Sequence, residues 1–405
     1  MGGRPGRDHA GADRLVVALA LSAGPLVSLG LARFAYALLL PEMASDLGWS
    51  WSQAGALNTA NAAGYLLGAL AAAPLARRLG TGRAFLLGAL VTTLALLLTS
   101  LTGGYAVLLL ARTAAGVGGA WAFVLGAALV AAAGAGGEPG RAALMLGLYY
   151  GGAGGGMTLA GLLVPWVLDR TSGSWQLGWV VLTVLGAVAT VVAGLALRHT
   201  VEPDPPAAAE HQGWDRRRIG WLSAGYTFFG LGYIAYLTFV IAFLQEQGIG
   251  LRTVAVFWVV VGAAASAGWF VWGRLIGRLG GTPAMSVLMV VLAVGTALPV
   301  LVTEPWAFFV SGLVVGGTFL SVVTAMTVGV REALPAALWT SGLAFATVAF
   351  GVGQTVGPWL TGWFSDVVGS LGAGLVLSAA LLVAGAVLAL PGVRQAPSPG
   401  GGPDT

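Results

Sequence analysis

Residues 74–80 read Pro74-Leu75-Ala76-Arg77-Arg78-Leu79-Gly80, and two hundred positions later residues 274–280 read Arg274-Leu275-Ile276-Gly277-Arg278-Leu279-Gly280. Each stretch closes one apolar run of helical length and opens the next, so each reads as a short polar loop between two hydrophobic helices. One ungapped shift superimposes Leu75 on Leu275 and Arg78-Leu79-Gly80 on Arg278-Leu279-Gly280. The same shift pairs Gly30 with Gly230, Leu31 with Leu231, Ala35 with Ala235, Tyr36 with Tyr236, Gly48 with Gly248 and Gly68 with Gly268. In a chain rich in Gly, Ala and Leu, identities alone carry little weight. Their placement carries more, because a single shift aligns the first-span aromatic and the loop arginine of both halves. The chain is therefore read as two copies of one unit.

Composition fixes the solvent of that unit. Of 405 residues, 57% are hydrophobic and 8% charged, with a mean hydropathy of +0.88, against about 25% charged in soluble domains. A soluble globular protein is excluded, and so is a disordered one, since a chain this apolar has ample surface to bury. The absence of cysteine removes disulfides, thiolate nucleophiles and Cys-ligated metals. A bilayer core takes about 20 apolar residues to cross. Twelve such runs are predicted, over 14–40, 51–75, 83–102, 105–133, 142–168, 175–197, 219–245, 253–274, 284–302, 305–330, 337–364 and 370–391. The first follows Arg4, Arg7 and Arg14 as a signal peptide would, but it is too long for an h-region and lacks a cleavage context. It is read as an uncleaved span.

All 19 basic residues are arginine, and their distribution sets the orientation. Arg4, Arg7, Arg14, Arg77, Arg78, Arg83, Arg141, Arg198, Arg216, Arg217, Arg218, Arg274, Arg278, Arg331 and Arg394 fall on one side, and only Arg170 and Arg252 on the other. Short cytoplasmic loops retain positive charge during insertion, so both termini are expected in the cytoplasm of a multi-pass cytoplasmic-membrane protein. The arginines cluster between apolar runs and form no continuous basic face, which argues against a nucleic-acid partner. The Pro-rich stretch 198–218, with the triple arginine Arg216-Arg217-Arg218, reads as a cytoplasmic linker. It divides six-helix halves at 1–197 and 219–391, followed by a disordered tail at 392–405. The expected fold class is all-α integral membrane, twelve helices in two pseudo-symmetric halves. Parallel six-span repeats of this kind are the architecture of a major facilitator transporter, with a central site between the halves.

Two motifs strengthen that likeness. The superfamily loop Gly-x-Leu-x-Asp-Arg-x-Gly resembles Gly273-Arg274-Leu275-Ile276-Gly277-Arg278-Leu279-Gly280 and Ala73-Pro74-Leu75-Ala76-Arg77-Arg78-Leu79-Gly80, both without the aspartate. Arg112-Thr113-Ala114-Ala115-Gly116-Val117-Gly118 resembles the Arg-x-x-x-Gly-x-Gly pattern of the fourth span. The segment Gly30-Leu31-Ala32-Arg33-Phe34-Ala35-Tyr36, with Leu40-Pro41, Asp46-Leu47-Gly48, Gln53-Ala54-Gly55, Asn58-Thr59-Ala60-Asn61 and Gly64-Tyr65-Leu66, is similar to the YbfB/YjiJ-type branch of the major facilitator superfamily. The resemblance implies a transporter without naming its cargo. It also implies a conformational role for Arg78, Gly80, Arg278 and Gly280.

A charge at the bilayer centre costs about 3 kcal/mol or more, so one kept there marks a candidate site. Arg33 and Arg112 are the two. Arg33 lies eight positions before Pro41, about 12 Å from the helix end at 1.5 Å per residue. It is read as contacting substrate, against a structural bond to helix carbonyls; for Arg112 the two roles stay open. No Asp, Glu, Lys or His accompanies them, since His9, His199 and His211 fall in tails or linker. Two guanidiniums without a carboxylate suit an anion, because a planar fork engages a carboxylate or phosphate bidentately. Helical spacing adds Asn58, Asn61 and Tyr65 on one face of the second span, and Tyr226, Phe229, Tyr233 and Tyr236 on the seventh. Tyr150, Gly154 and Thr158 share a face of the fifth, and Thr347, Gly351, Gln354 and Pro358 one of the eleventh. The expected substrate-binding set is Arg33, Tyr36, Asn58, Asn61, Arg112, Tyr150, Tyr233, Tyr236 and Gln354. Trp49, Trp51, Trp175 and Trp306 are expected as interfacial anchors.

The expected function is a secondary transporter that moves a small organic anion or amphiphilic acid by alternating access. No enzyme chemistry, cofactor or metal is expected, and the unit is read as a functional monomer in the lipid bilayer. A proton or counter-anion remains open as the coupled species, and efflux is favoured only by analogy with related exporters. Two rival readings stand beside it: a broad-specificity drug effluxer that uses the aromatic residues, and a non-transporting membrane sensor.

Overall fold

In lipid every backbone N–H and C=O must find a partner inside the chain, so apolar runs of this length form helices and their short polar punctuation forms the connections. A computed structural model describes residues 6–134, 139–200, 202–203 and 216–393. Among them, twelve helices are long and apolar enough to cross a membrane: Arg14–Leu47, Trp51–Leu79, Thr81–Ser100, Tyr105–Gly134, Leu144–Arg170, Trp175–His199, Gly220–Glu246, Leu251–Gly268, Gly281–Leu301, Pro305–Ala333, Ala336–Val368 and Leu371–Leu390. They are referred to below as the first to twelfth spans. No strand occurs among the described residues. Arg4, Arg394, His211, residues 204–215 of the linker and 394–405 of the tail lie outside the described residues.

Several helices outrun their sequence boundaries. The first continues through Pro41 to Leu47 and the second through Pro74 to Leu79, where expectation ended them at 40 and 75. A proline forfeits one hydrogen bond, but ending the helix inside the bilayer would leave several carbonyls bare, so the helix persists. The second helix begins with a capping box: Ser50 Oγ accepts from Gln53 N, and Gln53 Oε1 accepts from Ser50 N at 3.0 Å. The first span has one irregularity that its sequence conceals. Pro25 has no N–H to give, and from Leu26 to Phe34 the ladder runs as a π-helix, ending where Ala35 N donates to Gly30 O at 3.1 Å. Such segments re-aim side chains and recur at functional sites. Arg33 sits in this last turn.

The neighbours of each span repeat with an offset of six. The second packs on the fourth as the eighth packs on the tenth, the third on the fourth as the ninth on the tenth, and the third on the sixth as the ninth on the twelfth. Three seams join the two sets: second with eleventh, fifth with eighth, and first with seventh. Adding six to the first seam gives the second, as a two-fold axis between the sets requires. Small residues let the seams close. A Cβ on Gly55 would strike the Pro358 carbonyl, and one on Gly154 would strike Ser266 and the Gly262 carbonyl, so backbones approach where only glycine fits.

The tryptophans depart from expectation in part. Trp306 is 57% exposed, as an interfacial anchor would be, whereas Trp175 is buried and donates from Nε1 to Asp46 Oδ2 at 2.8 Å. Trp51 packs edge-on against Phe239 of the seventh span, with centroids 6.4 Å apart. Those two indoles hold helices to helices, because an adjacent carboxylate or ring outbids the headgroup layer.

Candidate functional site

The π-helical turn of the first span delivers Arg33 to the seam between the two sets of six. Its side chain is only 3% exposed, Nη2 donates to Gln354 Oε1 at 2.8 Å across the seam, and Nε has no hydrogen-bond partner. Its guanidinium carbon lies 5.7 Å from the centroid of Tyr65. Gln354 Oε1 also accepts from Tyr233 Oη at 3.5 Å. Arg33, Gln354 and Tyr233 thus form one polar string from the first span to the seventh.

That string borders a cavity of about 280 Å³ lined by the first, second, fourth, seventh, tenth and eleventh spans. Arg33 is the one charged side chain in the lining; the rest is aromatic or aliphatic apart from Thr347, Gln354 and the tyrosine hydroxyls. Eight rings take part: Phe34, Tyr65, Phe123, Tyr226, Phe229, Tyr233, Phe319 and Phe350. A groove at the membrane face between the ninth and twelfth spans is of similar size, but it is lined by Ser286 and aliphatic residues alone. It carries no group that could orient a solute.

The cavity extends from Arg33 toward the arginine-rich side, and the seams beyond it are shut. Asn58 Nδ2 donates to Thr238 Oγ1 at 2.6 Å, and Thr59 Oγ1 to Thr355 O at 2.6 Å. At the far rim the Asp366 carboxylate accepts from Trp51 N and Ser52 N, both at 2.8 Å. A carboxylate of one set therefore caps a helix of the other, completing what Ser50 begins. The fifth–eighth seam is also closed on the arginine-rich side of Arg33, where Ser266 Oγ donates to Gly151 O at 3.3 Å and the adjacent Gly152 packs on Ser22.

The sequence-derived residues divide sharply by position. Arg33, Tyr233 and Gln354 line the cavity together with Tyr65, Thr347 and Gly351. Arg112 lies outside that lining: fully buried, it donates from Nη1 to Ala32 O, with its guanidinium carbon 4.9 Å from the Tyr36 centroid and 5.4 Å from that of Trp179. Two neighbouring rings, their centroids 6.4 Å apart, flank it on one side and one carbonyl accepts from it, while its Nε and Nη2 have no hydrogen-bond partner. Tyr36 donates to Ala54 O at 2.8 Å, Asn61 to Arg112 O at 3.2 Å, and Tyr236 shares a 2.5 Å hydrogen bond with Ser311 Oγ. These three and Asn58 Nδ2 bond to neighbouring helices and lie outside the cavity lining, while Asn58 Oδ1 has no hydrogen-bond partner. Tyr150 stands beside it, 40% exposed, its ring 5.5 Å from that of Phe123. Phe34, Phe123, Phe319 and Phe350 also line the cavity; a lone phenylalanine in an apolar helix carries no sequence signal of what it faces.

At the two repeated loops, Gly80 and Gly280 adopt φ of +85° and +79°, where glycine alone is unstrained. A carboxylate stands over each. Glu202 accepts from Thr81 N and, at 3.4 Å, from Gly82 N; Glu332 accepts from Gly281 N at 2.9 Å. With the motif's aspartate missing, these acids from other elements cap the third and ninth spans.

The family described as "Uncharacterised MFS-type transporter YbfB" matches residues 25–390. The chain belongs to this family. Solved structures of major facilitator transporters share its fold at low identity. A mutant of the nucleoside transporter NupG is 13% identical with a TM-score of 0.75, covering 93% of this chain and 99% of that one. A bacterial homolog of the human lysosomal transporter Spinster, inward-facing and occupied, is 16% identical with a TM-score of 0.71, covering 98% and 100%. The peptide transporter POT, as a mutant, is 15% identical with a TM-score of 0.72, covering 93% of each. A search of curated protein sequences gives no match. The family member described here is a multi-pass membrane transporter, and its cavity lies where the two halves of the fold meet.

Proposed function

We propose that this transporter is a secondary carrier of the cytoplasmic membrane that moves a small organic anion or amphiphilic acid, its two six-helix halves rocking about the cavity. One observation carries the reading: the cavity between the halves contains a single charged side chain, Arg33, whose Nε has no partner. A buried cation without a counter-charge is costly, and an anionic solute would relieve that cost with paired, charge-assisted hydrogen bonds. The second–eleventh seam is hydrogen-bonded on the far side of Arg33 and the cavity lies on the other, which supports an alternating-access cycle about this cavity. The arginine distribution supports a cytoplasmic placement of the cavity side.

The test is a thermal-shift screen of the detergent-purified protein against carboxylates, phosphorylated metabolites and cationic dyes, with Arg33→Ala alongside. Acids at 100 times their dissociation constant should stabilise by about 2.7 kcal/mol, and the effect should vanish in Arg33→Ala. Stabilisation confined to cations or neutral dyes and persisting in Arg33→Ala would overturn the anion reading.

A further inference from the structure

The chemistry of the cavity narrows the cargo further, and this step rests on the anion reading. Five rings of its second-half wall lie nearly parallel. Tyr226 and Phe350 have centroids 4.7 Å apart at 19°, Phe229 and Tyr233 4.5 Å apart at 15°, and Tyr233 and Phe319 5.8 Å apart at 13°. Apolar packing alone has no need of parallel rings, and edge-to-face pairing serves it equally well. Rings that share one orientation favour a flat guest inserted alongside them. The polar string ties this wall to the cation, since Tyr233 belongs to the stack and reaches Gln354, which holds Arg33.

We infer that the cargo is a flat aromatic monocarboxylate, its ring against the Tyr226, Phe229, Tyr233 and Phe350 stack and its carboxylate on Arg33. A second carboxylate would sit among apolar groups with no cation to meet it. The volume of about 280 Å³ lies just below the range of small-molecule pockets, roughly 300–1,000 Å³, which suits a small guest of one or two fused rings.

The full-length protein in lipid nanodiscs is titrated calorimetrically with benzoate, 2-naphthoate, cyclohexanecarboxylate, hexanoate, terephthalate and benzamide. Benzoate or 2-naphthoate should bind at least ten-fold more tightly than cyclohexanecarboxylate or hexanoate. Phe350→Leu, which keeps apolar bulk and removes a π-face, should erase most of that preference while weakening hexanoate little; Tyr226→Leu serves as the second variant if Phe350→Leu fails to fold. Equal binding of aromatic and aliphatic acids, still lost in Arg33→Ala, overturns the aromatic class and leaves the anion reading standing. Terephthalate binding as tightly as benzoate overturns the single-charge limit. Benzamide matching benzoate, or no acid binding at all, overturns the anion reading and this inference with it.

Discussion

The Asp366 cap joins the two halves only while their far ends touch, so removing it should shift the balance between access states. Asp366 accepts two 2.8 Å bonds from the first turn of the second span. Loss of an N-terminal cap costs about 0.5–2 kcal/mol, and loss of the charge–dipole attraction about 0.3–1 kcal/mol. Asp366 is exposed, so the lower part of the range applies, about 1 kcal/mol. With tenfold per 1.4 kcal/mol, Asp366→Ala should raise the ratio of far-side-open to far-side-closed molecules about five-fold. Asp366→Asn keeps one acceptor oxygen without the charge and should fall between. The assay exploits the absence of native cysteine. Leu101 and Leu301 end the third and ninth spans on the far side, are 72% and 75% exposed, and belong to opposite halves. Spin labels on Leu101→Cys and Leu301→Cys report the far-side separation by pulsed electron resonance in nanodiscs. An unchanged distance distribution in Asp366→Ala, or a shift to shorter distances, would show that the cap does not hold the far side shut.

Three further outcomes follow from the same contacts. Gly55→Val places methyls against the Pro358 carbonyl and should hold the second–eleventh seam apart, giving the long Leu101–Leu301 distance as the main population. The two buried arginines should separate in stability: Arg112→Ala discards two ring contacts and a carbonyl bond and should cost about 3 kcal/mol, whereas Arg33→Ala should leave the melting temperature within a few degrees and abolish acid binding. Gly280→Ala forces a side chain into φ +79°, ψ 170°, its Cβ 3.2 Å from the Glu332 carboxylate oxygens, and should destabilise by about 1–3 kcal/mol in a melting experiment.

What the sequence determined by itself was the class of structure. Bilayer thickness and the ban on unpaired backbone make a run of about 20 apolar residues a spanning helix, so the twelve helices and their two-fold repeat were legible from hydropathy and one 200-residue shift. Arg33 and Gln354 were legible too, because a polar group kept inside an apolar helix is costly enough to stand out. Tertiary structure alone decided what each polar group does. Arg33 and Arg112 look alike in sequence, yet the π-helical turn after Pro25 carries one to the cavity while the other is buried beside Tyr36 and Trp179. Asn58 and Asn61 share a helix face, but one bonds across the seam and the other within its own half. The aromatic wall was beyond reach, since Phe319 and Phe350 come from different spans and become neighbours of Tyr233 only when the tenth and eleventh pack around the seventh. Hydropathy records the cost of leaving water and is blind to direction, whereas a binding site is a matter of which side chains point at the same point.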